Sequence, residues 1–294
     1  MDENNSFKKF FRSIIKHGVF HCALIRIFFI FLYHVRGKKP WGIGYSIYKF
    51  HFVKEVILNQ PRLFLEKKLP ARYGFRMDER VIEYPWLFLT LKERQAMILD
   101  AGSVLNHELI LTLPQLRARK IYISTLAHEG FQYTDPPPSY VTEDIREMCY
   151  KNDFFDAVVC LSTLEHVGMD NTFLYTQDQN KNENDRYAYV RAVRELKRVL
   201  KKDGTLYVSV PYGRYKNHGW LQVFDGEMVQ RLVQEFSPRE IVQTFFKYEN
   251  NQWDFSSEAS CRDGHYFDVH NAFSIENNPP WIAAQCVLCL ALTK

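Results

Sequence analysis

The sequence predicts an α/β protein, a doubly wound and mostly parallel sheet behind an N-terminal helical extension. Three observations carry that prediction. The runs Met97-Ile98-Leu99-Asp100 and Phe155-Asp156-Ala157-Val158-Val159-Cys160-Leu161 are apolar without alternation, as strands buried on both faces are. Each passes directly into small polar residues, Gly102-Ser103 and Ser162-Thr163, at the end of an open sheet where ligands bind. Strand and helix patterns then alternate over the following stretch, which suits a doubly wound sheet.

Composition sets the outer bounds. The 294 residues suffice for one large α/β domain with an extension, or for two small domains. With 46% hydrophobic residues a sizeable core is available, and most of the 23 Phe and 17 Tyr are expected to pack in it. A net charge of +4 without a continuous basic stripe argues against a nucleic-acid partner. Six cysteines are present. Cys286 and Cys289 have CxxC spacing, but they lie in an apolar run with no second pair, and on a strand residues three apart face opposite sides. They read as buried thiols in a reducing compartment. The expected location is therefore the cytoplasm, or the inner face of a membrane.

Residues 1–75 are expected to form the helical extension and 76–294 the α/β domain. Within the extension, 19–35 is the most hydrophobic stretch of the chain, with Arg26 near its middle. Arg26 and two histidines make it a poor span, and no small-residue cleavage site follows, so it is not a signal peptide. It reads as an interfacial helix on a membrane surface, or as a helix packed on the core or on a second subunit. Gly37, Pro40, Gly42 and Gly44 interrupt it, and a second helix is expected over 45–58. Residues 71–96 look like an approach segment, with a helix over 87–96.

In the α/β part, strand one covers 97–100 and a helix is expected from about 106 toward Leu116. Lys120–Thr125 and Ser139–Asp144 give strands two and three, and 155–161 gives strand four. The polar stretch 170–184 is a candidate lid. An amphipathic helix over 186–200 carries Val190, Val193, Leu196, Val199 and Leu200 on one face and ends at Gly204. Thr205–Val210 is strand five, 225–236 another helix, 241–248 strand six, and 281–292 the last strand. Residues 251–279 look like an inserted loop covering substrate.

A dinucleotide fingerprint needs GxGxxG after strand one. Here Asp100-Ala101-Gly102-Ser103-Val104-Leu105 holds one glycine, and no P-loop occurs anywhere. A nucleoside ligand without phosphates fits better. At these residues the chain resembles the class I S-adenosylmethionine-dependent methyltransferases, over about 95–294. Asp100-Ala101-Gly102-Ser103 is similar to their first motif, Asp144-Ile145 to the acidic position after strand three, and Leu164-Glu165-His166-Val167 to the exit of strand four. The run from Leu196 through Gly204 to Leu206 is similar to the helix, glycine turn and fifth strand. Two departures stand out. The later motif-one glycines fall near Leu105 and His107, and Ser124-Thr125 occupy the place of the ribose-binding acid.

The resemblance implies a Rossmann-like, seven-stranded sheet and S-adenosylmethionine as cofactor. It implies Gly102 beneath the methionine portion, with Asp100 ordering that site or capping the next helix. Asp144 and Ile145 would sit at the adenine. Ser124, Thr125 and Glu129 would serve the ribose, and Ser162 at the strand-four exit would also contact the cofactor. Methyl transfer to a hydroxyl also needs a proton acceptor, for which His166, His218 and Asp225 are candidates. Tyr212 or Trp220 would stack on a sugar face, and Arg214 would meet a carboxylate or phosphate or remain a solvated loop charge. Asp254, Glu258, Asp263, His265, Asp268 and His270 match no strong metal pattern, so no metal is expected. The reading is an O-methyltransferase for a hydroxylated small molecule or glycan, such as a surface-polysaccharide precursor. Homo-oligomerisation through the N-terminal helices is a further expectation. The alternatives are an inactive binding or scaffold protein, or a methyltransferase acting on RNA or on a lipid.

Overall fold

The computed structural model describes residues 23–127, 137–175, 178–268 and 283–294. Eight strands form one sheet: β1 (Met97–Ala101), β2 (Lys120–Thr125), β3 (Ser139–Thr142), β4 (Phe155–Leu161), β5 (Leu200–Pro211), β6 (Glu240–Glu249), β7 (Gln252–Ser256) and β8 (Cys286–Thr293). Their order is β3-β2-β1-β4-β5-β8-β6-β7. The first five are mutually parallel, and β8 lies antiparallel between β5 and β6.

The sheet is doubly wound and mostly parallel as expected, and β7 adds an eighth strand to it as a hairpin with β6 on the far edge. Asn250 and Asn251, both at positive φ, make the two-residue turn, a geometry that asparagine tolerates and hairpins favour. The stretch read as an inserted loop therefore begins as an edge strand. Trp253, wholly buried, anchors it by donating from Nε1 to the Met77 carbonyl at 2.9 Å.

Apolar residues alternate between the two faces of the sheet. Ile98, Ala157, Val159, Val287 and Cys289 belong to one core, and Leu99, Val158, Cys160, Cys286 and Leu288 to the other. Cys286 and Cys289 thus face opposite sides, and both thiols are free and buried. The second face is covered by Tyr189–Val199 and Gly226–Phe236, close to where their hydrophobic periodicity put them.

The first face is covered differently from the expectation. The long helix after β1 is reduced to a turn, Glu108–Leu111, followed by a 3-10 turn, Pro114–Leu116. Pro114 forces Leu113 into extended backbone, which ends the helix. The missing cover comes from upstream. We label the helices α1 (Ala23–Val35), α2 (Tyr45–Asn59), α3 (Arg80–Thr90), α4 (Tyr189–Val199) and α5 (Gly226–Phe236). Val53, Val56 and Ile57 of α2 and Val81, Ile82 and Leu87 of α3 share one core with Ile98, Ile121 and Phe246.

Helix α3 lies at 80–90 rather than 87–96. Pro85 stands inside it, where proline leaves the carbonyl four residues back without a donor. That carbonyl, of Val81, accepts instead from the Tyr73 hydroxyl at 2.7 Å. The helix start is pinned by Asp78, which takes hydrogen bonds from Lys49 Nζ at 2.5 Å and Tyr45 OH at 2.9 Å.

Candidate active site

The site lies at the carboxyl ends of the parallel strands. Asp100, fully buried at the end of β1, accepts hydrogen bonds from the amides of Val104 at 3.0 Å and Leu105 at 2.7 Å. Its carboxylate shapes the turn. Gly102 follows at φ +117°, and a Cβ there would overlap Oγ1 of Thr163. Only glycine lets the β1 turn press against the β4 exit this closely.

A cavity of about 550 Å³ opens above these ends, a size that suits a nucleoside-scale ligand. It gathers six of the predicted residues: Gly102, Thr125, Asp144, Ile145, Ser162 and His166. It also contains Arg80 and Arg146, which the sequence reading missed, together with Thr163 of the strand-four exit and Glu183 of the candidate lid.

Asp144 is gripped by Arg146. The guanidinium donates to it from Nε at 3.0 Å and from NH2 at 2.6 Å, and the Arg146 amide donates at 2.8 Å. Partial burial pushes the carboxyl upward, but these bonds outweigh it and hold Asp144 below the usual carboxylate range. The same guanidinium reaches Glu183 at 2.5 and 2.7 Å, a bidentate pairing of the geometrically specific kind. Glu183 belongs to the polar stretch after β4, and Tyr175, Asn180, Lys181 and Asn182 from that stretch also line the cavity. The candidate lid therefore lies over the cavity, fastened through Arg146.

The opposite wall comes from α3. Ser162 Oγ and Ser209 Oγ both donate to Glu83 Oε1 at 2.6 Å, and Arg80 NH1 donates to Oε2 at 2.7 Å. Behind them Glu79 and Glu165 each keep one buried carboxyl oxygen without a partner. Burial, reinforced by Asp78 and Glu83, raises Glu79 to about 8, and burial raises Glu165 well above its ordinary range.

His166 lines the cavity, and its Nδ1 lies 2.9 Å from the Trp220 carbonyl. A carbonyl only accepts, so Nδ1 carries the proton and Nε2 keeps the lone pair. Burial lowers its pKa to about 4 against the opposing pull of that carbonyl, with Arg80 adding to the depression. The ring is neutral at physiological pH, the state a proton acceptor needs.

The other predicted residues are placed elsewhere. Ser124 is buried and donates to Glu143 at 2.6 Å, while Glu129 lies outside the described residues. Asp225 caps α5 by accepting from the Met228 amide at 2.9 Å and pairs with Arg186 at 2.7 Å. Neither residue lines the cavity. His218 Nδ1 lies 3.5 Å from Asp268, and the Trp220 indole donates to the same carboxylate at 3.2 Å. Tyr212 is buried with its hydroxyl 3.3 Å from Glu258, and Arg214 pairs with Asp263 on the surface. Among the described residues no group of three His, Cys, Asp or Glu side chains is arranged to hold a metal. His270 is outside them.

The signal for the missed wall was present in α3. Arg80 and Glu83 are charged residues three apart in an otherwise apolar helix, Val81-Ile82-Tyr84-Pro85-Trp86-Leu87, and charges buried there must pair.

Residues 121–208 match the family described as a methyltransferase domain. No curated protein matches the chain. Among solved structures it is similar to an S-adenosylmethionine-dependent methyltransferase from Archaeoglobus fulgidus, at 13% identity and TM-score 0.46, over 79% of this chain and 99% of that one. It is similar to a protein from Thermotoga maritima described as a possible histamine N-methyltransferase, at 12% identity and TM-score 0.44, over 83% and 100%. It is also similar to the 1,6-didemethyltoxoflavin-N1-methyltransferase of Burkholderia thailandensis, solved with 1,6-didemethyltoxoflavin and S-adenosylhomocysteine, at 14% identity and TM-score 0.42, over 92% and 88%.

Proposed function

We propose that this chain, whose residues 121–208 match the methyltransferase-domain family, is an S-adenosylmethionine-dependent methyltransferase that acts on a hydroxyl of a small molecule or glycan. The observation that supports this reading best is the neutral imidazole of His166 in the wall of the strand-end cavity. Its Nε2 lone pair gives a hydroxyl acceptor a place to leave its proton.

The residues present fit the cofactor. The Gly102 turn has no Cβ to fill the space beside Thr163. Thr125 and Ser162 supply hydroxyl groups, and Asp144 supplies a carboxylate held ionised by Arg146. Gly102 would support the methionine portion, Thr125 the ribose, and Asp144 with Ile145 the adenine. When bound, S-adenosylmethionine supplies an activated methyl group on a sulfonium. The chain's own work is to orient and to exclude water. Arg146 holds Glu183 and with it the lid over the cavity. Glu83 fixes Ser162 and Arg80 on the far wall.

Calorimetric titration with S-adenosylmethionine and S-adenosylhomocysteine tests the cofactor half. Micromolar binding, lost in Asp144→Ala, is expected. A second reading, a binding protein without turnover, is favoured by the four-residue turn Glu108–Leu111 that replaces a full helix after β1. No heat from either ligand with folded protein would select it. Acceptor screening with radiolabelled methyl groups tests the other half, and transfer only to amines would reject the hydroxyl assignment.

A further inference from the structure

Helix α1 has two apolar faces, and methyl transfer uses neither. One packs on α2 through Phe29 and Tyr33, both buried. At the crossing Gly44 has no Cβ, which would otherwise run into the Phe29 carbonyl. The other face carries Leu24, Ile27, Phe28, Phe31 and Val35, which are 55–76% exposed. At 3.6 residues per turn these five fall within an arc of about 100°. An apolar stripe of this kind on the outside of a protein marks an interaction surface.

Charge identifies the partner. Residues 4–54 hold ten Lys and Arg and no Asp or Glu, whereas the rest of the chain sets 28 Lys and Arg against all 34 Asp and Glu. Just past the end of α1, Arg36 and Lys39 are exposed, and Lys38 lies over the Tyr48 ring. Trp41 and Ile43 are exposed beside them.

We propose that the outer stripe of α1 docks this protein on the surface of an anionic lipid bilayer. Leu24, Ile27, Phe28, Phe31 and Val35 enter the boundary between headgroups and acyl chains, and Arg36, Lys38 and Lys39 meet lipid phosphates. Trp41 sits at headgroup level, where tryptophan is enriched. The helix lies on the membrane and does not cross it. Among the described residues no helix is long and apolar enough to span, and Arg26 within α1 makes a span costly. A second copy is the poorer partner. Two α1 stripes face to face would bring two basic segments together with no acid in 4–54 to answer them.

The test is vesicle flotation of the full chain, with phosphatidylcholine vesicles against mixed phosphatidylcholine–phosphatidylglycerol vesicles. Binding to the mixed vesicles, weakened by high salt, is expected. The Leu24→Ser/Phe28→Ser/Phe31→Ser variant should bind roughly tenfold or more weakly, with unchanged melting temperature because these side chains do not support the fold. Lys38→Glu/Lys39→Glu should weaken binding to phosphatidylglycerol and leave the weak phosphatidylcholine binding as it is. Failure to float with the mixed vesicles overturns the proposal. So does a dimer on size exclusion that the triple serine variant converts to monomer without any vesicle binding.

Discussion

Glu83→Ala should destabilise the protein more than any change in the cavity wall that leaves its charges paired. The Glu83 side chain is fully buried, and it accepts from Ser162, Ser209 and Arg80 at 2.6, 2.6 and 2.7 Å. Alanine removes all three bonds and leaves Arg80, with a side chain only 24% exposed, without its partner. Removing one member of a buried ion pair costs about 3–5 kcal/mol. Glu79 offsets part of this. Glu83 is one of the neighbours that raise the Glu79 carboxyl, so once Glu83 is gone Glu79 ionises more readily and faces Arg80. The expected loss at neutral pH is therefore at the low end, about 3 kcal/mol. Urea unfolding followed by circular dichroism measures it, with an unchanged m-value as the sign that only stability moved. Arg80→Met/Glu83→Met removes both charges and should recover at least half the loss, because a buried pair replaced by apolar side chains is close to neutral. A loss below about 1 kcal/mol in the single variant, or a double variant no more stable than the single one, would refute the reasoning.

Three further outcomes follow from the same wall and its surroundings. Glu79 keeps its proton in the folded state up to about 8, whereas the unfolded carboxyl releases it near 4.5. The folded state binds the extra proton between those values, so stability falls as pH rises through that window. Glu79→Gln should flatten the fall, checked by urea midpoints at its two ends, and an unaltered slope would count against the assignment. His166 stays neutral down to about 4, so the rate profile should show no inflection near 6.5, and His166→Gln should lower kcat by about a hundredfold or more. Gly102→Ala places a Cβ against Thr163 at φ +117° and should weaken S-adenosylmethionine binding at least tenfold by calorimetry, or roughly 1.4 kcal/mol.

Those parts of the fold that bury both faces of a layer were legible. Parallel strands covered on each side are continuous apolar runs, and 97–101 and 155–161 could be read within a residue or so. Helices α4 and α5 were legible because one face of each is apolar and the other charged. Asp225 shows where such reading stops. A carboxylate before a helix serves equally as cap or base, and only the Met228 amide and Arg186 distinguish the two. Helix α3 was misplaced because Pro85 reads as a breaker, while the group that makes it tolerable, the Tyr73 hydroxyl, is twelve residues upstream by sequence. Strand β7 was missed, although its partner β6 was legible, because Gln252–Ser256 and the turn residues Asn250 and Asn251 belong to a polar stretch that also suits a loop.

The cavity's charges explain why the glycine pattern after β1 can be so reduced. Its walls carry Arg80, Arg146 and Lys181 against Asp144 and Glu183, with Glu83 directly behind Arg80. Three cations meet three anions. A site for a pyrophosphate needs the opposite arrangement, an excess of donors and positive charge converging on one point, usually backbone amides at a glycine-rich helix start. Here the amides of Val104 and Leu105 are already taken by Asp100, and the helix that would follow is a four-residue turn. Neither the charge balance nor the backbone leaves a place for phosphates. The same walls cost a nucleoside carrying a sulfonium nothing in repulsion. The single glycine is thus sufficient for the ligand this cavity suits, because only one close backbone approach, at Gly102, has to be made.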